Sequence, residues 1–98
     1  MHFVKDVKYV SEYTLWLFFE DGSIRAVDLK PHLDGEIFEP LKDINYFKTV
    51  RVDSELDTIV WENGADMSPD FLYEIGVLVM EPASLGKQAA EHRQRRKS

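Results

Sequence analysis

The stretch Ile59-Val60-Trp61-Glu62-Asn63-Gly64-Ala65-Asp66-Met67-Ser68-Pro69-Asp70-Phe71-Leu72-Tyr73 runs from an apolar strand through a turn into a helix start. Asn63-Gly64 supplies the positive backbone φ that a tight turn needs. Ser68 stands where an N-cap accepts from orphan amides, Pro69 suits the first helical position, and Asp70 complements the helix dipole. Met67 and Leu72 have the spacing of a hydrophobic staple. The spacing of Phe71, Leu72, Ile75, Leu78 and Val79 predicts a helix that ends near Glu81-Pro82.

Working outward, Phe3 to Val10 alternates and reads as a first strand, with Phe3, Val7 and Tyr9 on one face. Tyr13 to Phe19 is dense in aromatic and branched residues, the composition of a pleated surface. Leu15, Leu17 and Phe19 share one face and Trp16 and Phe18 the other, so this strand is expected to be central or covered on both sides. Asp21-Gly22 joins it to Ser23–Leu29 as a hairpin. Lys30 to Pro40 holds two prolines and Gly35 and excludes a long regular element. Leu41 to Phe47 predicts a short helix, and Thr49–Val52 with Thr58–Trp61 a second hairpin.

Ninety-eight residues allow one modest core. Hydrophobic residues form 44% of the chain, which argues for a packed domain rather than wholesale disorder. There are no cysteines, which removes disulfides, thiolate nucleophiles and Cys-based metal sites. No segment is apolar for long enough to read as a membrane span or a leader, so a cytoplasmic location is expected. The net charge of −6 is unevenly spread. From Lys87 to Ser98 five bases face only Glu91, whereas the preceding 86 residues carry seven bases and seventeen acids. Such a body repels phosphate backbones and attracts a basic partner.

Candidate chemistry is sparse. Glu62, Asp66 and Asp70 are three carboxylates within nine residues, but they lack the ligand order of a calcium loop, and capping and turn roles account for Asp66 and Asp70. A metal protein or enzyme around them, with His32 nearby in a loop, is the weakest of three functional readings. The two Gly turns occur in no phosphate-binding fingerprint. Trp16 and Trp61 read as core before ligand platforms. No catalytic residue, cofactor or metal is assigned. The basic residues Arg93, Arg95, Arg96 and Lys97 could contact nucleic acid, which is the second reading. Without interleaved aromatics they read more simply as a solvated terminus.

Leu15-Trp16-Leu17-Phe18-Phe19-Glu20-Asp21-Gly22 with Val27-Asp28-Leu29, then Leu41-Lys42-Asp43 and Phe47, Val50-Arg51-Val52-Asp53, and the motif from Trp61 through Asn63-Gly64-Ala65-Asp66 to Pro69 and Leu72-Tyr73 together resemble the bacterial domain-of-unknown-function family 2442. The similarity covers roughly residues 3–80 and implies a small α+β domain with a capped helix near its end. It implies no catalytic residues. Family members occur alone or fused to a helix-turn-helix domain, and many are thought to be encoded beside small toxin-like proteins. Nothing after Pro82 has the length of a helix-turn-helix.

The expected fold is therefore one α+β domain over residues 1–82, about five strands in a mixed or antiparallel sheet with two short helices, followed by a flexible basic tail over 83–98. The first functional reading is a non-enzymatic, antitoxin-like or accessory interaction module. Its expected partner is a basic protein encoded nearby. Trp61, Asn63, Gly64, Asp66, Pro69 and Tyr73 form its candidate surface, and a homodimer through a free strand edge is a further expectation.

Overall fold

The computed structural model describes residues 1–80. Six strands and two α-helices follow in the order β1 (Val4–Ser11), β2 (Thr14–Phe19), β3 (Ile24–Asp28), α1 (Ile44–Phe47), β4 (Arg51–Asp53), β5 (Thr58–Val60), α2 (Pro69–Ile75) and β6 (Val77–Met80). The segment between β3 and α1 consists of short 3-10 turns at Lys30–His32 and Glu36–Lys42, as its prolines require. The α+β class holds, with every strand pairing antiparallel.

One sheet has the order β1-β2-β3-β6 and the other pairs β4 with β5. The β2–β3 hairpin closes over Gly22 at φ +90°, with the Phe19 amide donating to the Ser23 carbonyl at 2.9 Å. Its register sets Leu15 opposite Val27 and Leu17 opposite Arg25 on one face, and Trp16 opposite Ala26 and Phe18 opposite Ile24 on the other. The first face is the inner one. Val4, Leu15, Leu17, Phe19 and Val27 pack there in one cluster with Leu33, Leu41, Phe47, Ile59, Trp61, Met67 and Leu72. The 3-10 turns, α1, the β4–β5 hairpin and α2 thus form a second layer over a single face of the sheet. Trp16, Phe18, Ile24 and Ala26 take no part in that cluster.

The predicted helix from Pro69 to Glu81 is corrected. α2 stops at Ile75, and Val77–Met80 forms β6 against β3. Gly76 explains the break, because its backbone is extended at φ −73° and ψ 148° and its Cα lies against β3. A Cβ there would stand 2.8 Å from the Arg25 Cβ and 3.2 Å from the Val27 Cγ2. Only glycine lets the chain leave the helix at that distance from the sheet. The branched residues of Val77-Leu78-Val79 then favour a strand. The apolar spacing of Leu78 and Val79 arises from an edge strand, not from a helix face. The proposed tail, 83–98, lies outside the described residues.

Candidate functional site

The segment from Trp61 to Tyr73 folds locally as its residues dictate. The Gly64 amide donates to the Trp61 carbonyl and the Trp61 amide to the Ala65 carbonyl, both at 2.9 Å. Gly64 sits at φ +89°, and the Asn63 side chain braces the turn by accepting from the Ala65 amide at 3.1 Å. The Asn63 side-chain amide reaches across to donate to the Ile37 carbonyl at 2.9 Å. Ser68 caps α2, its hydroxyl oxygen accepting from the Phe71 amide at 3.4 Å. Met67 and Leu72 are both buried, as a staple requires.

These residues do not share one surface. Trp61 is 1% exposed, and its indole N–H donates to the Phe47 carbonyl at 3.0 Å. It props the turn from beneath and offers no contact to a partner. Glu62, Asn63 and Gly64 form the exposed tip. Asp66 and Pro69 line a shallow groove of about 320 Å³ with Leu56, Thr58, Met67 and Ser68. Leu56, on the β4–β5 connection, is 53% exposed. The Thr58 hydroxyl donates to the Met67 carbonyl at 2.5 Å and fixes the groove floor. A carboxylate beside an exposed leucine is an arrangement that accepts a basic side chain and its aliphatic stem.

Tyr73 lies elsewhere, in a cluster that sequence reasoning missed. The His2 ring stacks on it at 3.5 Å between centroids, and the Arg25 guanidinium carbon lies 3.8 Å from the same ring centre. Two planar groups that close occupy opposite faces of one phenol ring. The Tyr73 hydroxyl donates to Asp21 Oδ2 at 2.7 Å. Asp21 Oδ1 accepts from the Ser23 amide at 2.8 Å and the Ser23 hydroxyl at 2.6 Å. The His2 amide donates to Asp70 at 2.7 Å. Residues from the N-terminal segment, the β2–β3 turn and α2 meet here, and separations of about fifty positions leave no local signal. A cleft of about 220 Å³ lies alongside, lined by Met1, His2, Phe3, Phe19, Glu20 and Asp21.

Partial burial pushes the Asp21 carboxyl up, but the hydrogen bonds from Ser23 and Tyr73, with the His2 charge, outweigh it and hold the pKa below its ordinary value. A carboxylate so occupied is a poor proton acceptor. The cluster ties the start of the chain to α2; it does not place a base beside a nucleophile.

The remaining candidates are dispersed. Glu62 is exposed at the turn, Asp66 lines the groove and Asp70 accepts from His2. Among the described residues, no group of three His, Asp or Glu side chains is gathered as a metal would need. His32 meets Phe71 edge-on at 5.2 Å. Arg93, Arg95, Arg96 and Lys97 lie outside the described residues. No described helix is long and apolar enough to cross a membrane.

The model of the family described as "Protein of unknown function (DUF2442)" matches residues 4–77. The match spans well over half of the 98 residues, and the chain belongs to this family. No curated protein and no solved structure matches the chain.

Proposed function

We propose that this member of the DUF2442 family is a non-enzymatic protein-interaction module that engages a basic protein, in the manner of an antitoxin or accessory partner of a toxin-like protein encoded nearby. The observation that carries the reading is the unneutralised acidic surface. Residues 1–80 hold sixteen acids and seven bases, and among the described residues only Lys5–Asp57 and Lys42–Glu39 form ion pairs, at 3.2 and 3.1 Å. The other carboxylates leave a negative field that steers a basic surface into encounter. The groove at Leu56, Asp66 and Pro69 offers that partner one apolar and one charged contact.

Co-expression tests this reading. The product of the adjacent gene is expressed alone and together with this chain, and growth and co-purification are followed. Retention of the neighbour and relief of any growth arrest support the reading. Separate purification with no relief rejects it. Within a complex, Asp66→Lys is expected to weaken binding about tenfold, the order of one lost charge contact that becomes a repulsion.

A further inference from the structure

We infer that Asn63 is a self-modification site: the Gly64 nitrogen displaces its side-chain amide as ammonia, and the folded turn sets the rate by holding every reacting group. Glu62, Asn63 and Gly64 are exposed at the tip of the turn. A Cβ added to Gly64 would meet nothing within 4 Å, so the approach to its nitrogen is open, and glycine itself adds no side chain to obstruct it. Asn45, the other asparagine, precedes Tyr46, whose bulk crowds the equivalent approach.

The reaction needs only water. The Gly64 nitrogen bonds to the Asn63 Cγ and gives up its proton, while the bond from Cγ to Nδ2 breaks and ammonia leaves with that proton. Water then opens the cyclic imide at either of its carbonyls. One opening leaves aspartate, and the other leaves isoaspartate, in which the main chain runs through the side-chain carbon. One water is consumed and one ammonia released, with nothing oxidised or reduced.

Each group that must react already has a partner in the folded chain. The Gly64 N–H donates to the Trp61 carbonyl at 2.9 Å. Asn63 Oδ1 accepts from the Ala65 amide at 3.1 Å, and Nδ2 donates to the Ile37 carbonyl at 2.9 Å. Closing the ring turns the carboxamide out of the plane that these two bonds fix, so both must break first. That opening is local. The Asn63–Ile37 bond is exposed, and Ile37 is 47% exposed on its 3-10 turn. Trp61, beneath the tip, stays packed in the core. Freeing the tip therefore takes far less than global unfolding.

The change does not reverse. A carboxylate at position 63 has no hydrogen to donate to the Ile37 carbonyl, so the tie between the turn and the 3-10 segment is lost. Isoaspartate also lengthens the main chain ahead of Gly64 and pulls its N–H from the Trp61 carbonyl. Either product adds a negative charge to a body already rich in acids.

Peptide mapping by mass spectrometry tests this on the full 98-residue chain, aged in mildly alkaline buffer with urea varied from none to fully denaturing. Conversion is expected at residue 63 and not at residue 45, with aspartate and isoaspartate both present. The native chain should convert about ten- to a thousandfold more slowly than the unfolded one, since the turn must first open. Its rate should stay flat across low urea, because a local opening exposes little surface. Hydrogen exchange on the aged protein should show lost protection at the Gly64 amide and none lost in the β2–β3 hairpin. Equal rates in native and denaturing conditions overturn the inference, because the turn then holds nothing back. A native rate that is absent on this scale, or that climbs with the unfolded fraction, overturns it too, since the site then reacts only from the unfolded chain. Aspartate without isoaspartate excludes the imide and overturns it as well.

Discussion

Trp61 and Phe47 are joined twice: their ring centres lie 5.8 Å apart, and the indole N–H of the one donates to the backbone carbonyl of the other at 3.0 Å. Trp61 starts the Asn-Gly turn and Phe47 ends α1, so this pair couples two local elements through the middle of the core. Trp61→Phe keeps most of the apolar surface but removes the shorter of two hydrogen bonds to the Phe47 carbonyl, which keeps the Val50 amide at 3.3 Å. It is expected to cost on the order of 1 kcal/mol, and Trp61→Ala about 3–5 kcal/mol, from lost burial, a cavity and the same lost hydrogen bond. Urea denaturation followed by far-UV circular dichroism gives both numbers.

Gly64 and Gly76 separate two reasons for glycine. Gly64 has φ +89° and nothing within 4 Å of an added Cβ, so Gly64→Ala costs only the left-handed backbone, about 1 kcal/mol. Gly76 has an ordinary extended backbone but no room. Alanine there gains about 0.4–1 kcal/mol from a stiffer unfolded chain and loses about 1–3 kcal/mol through the clash with β3. The clash wins, because its nearest contacts are the Arg25 Cβ and the Leu72 carbonyl rather than a flexible tip. Loss of amide protection in β6 by hydrogen exchange, greater than in the β4–β5 hairpin, is the expected signature for Gly76→Ala.

Asp21 makes acid stability depend on the Tyr73 cluster. Its folded-state pKa lies below the unfolded one, so between the two values the native state binds fewer protons. Its contribution is therefore complete above the ordinary carboxylate pKa and is lost as pH falls through the lower folded value. In Asp21→Asn the stability of the protein is expected to fall less steeply over that acid window than in the wild type. Tyr73→Phe, which removes one of three donated hydrogen bonds, should lie between. Thermal melts at closely spaced pH values decide this, and parallel curves for all three proteins refute it.

Much of the architecture was readable because its signals are local. The Asp21-Gly22 hairpin, the Asn63-Gly64 turn and the Ser68-Pro69 cap each depend on residues a few positions apart, and each forms where its residues indicate. β6 reads as helix because Leu78 and Val79 continue the apolar spacing of Phe71, Leu72 and Ile75, and spacing alone does not reveal that Gly76 must pass against β3. The candidate surface is harder still to read. Trp61 and Tyr73 are neighbours in a motif, but one lies in the core and the other between His2 and Arg25. Leu56, which completes the groove with Asp66, belongs to a different connection. Nothing in sequence spacing brings those groups together; the two-layer packing does.

Binding of a basic protein partner by the acidic body, as proposed, depends on unscreened charge. Size-exclusion chromatography with light scattering, run on this chain mixed with the adjacent gene's product at increasing salt, tests it most directly. The expected result is a discrete complex at low ionic strength that weakens as salt screens its charges. Separate elution of the two proteins under every condition, or a complex insensitive to salt, would contradict it.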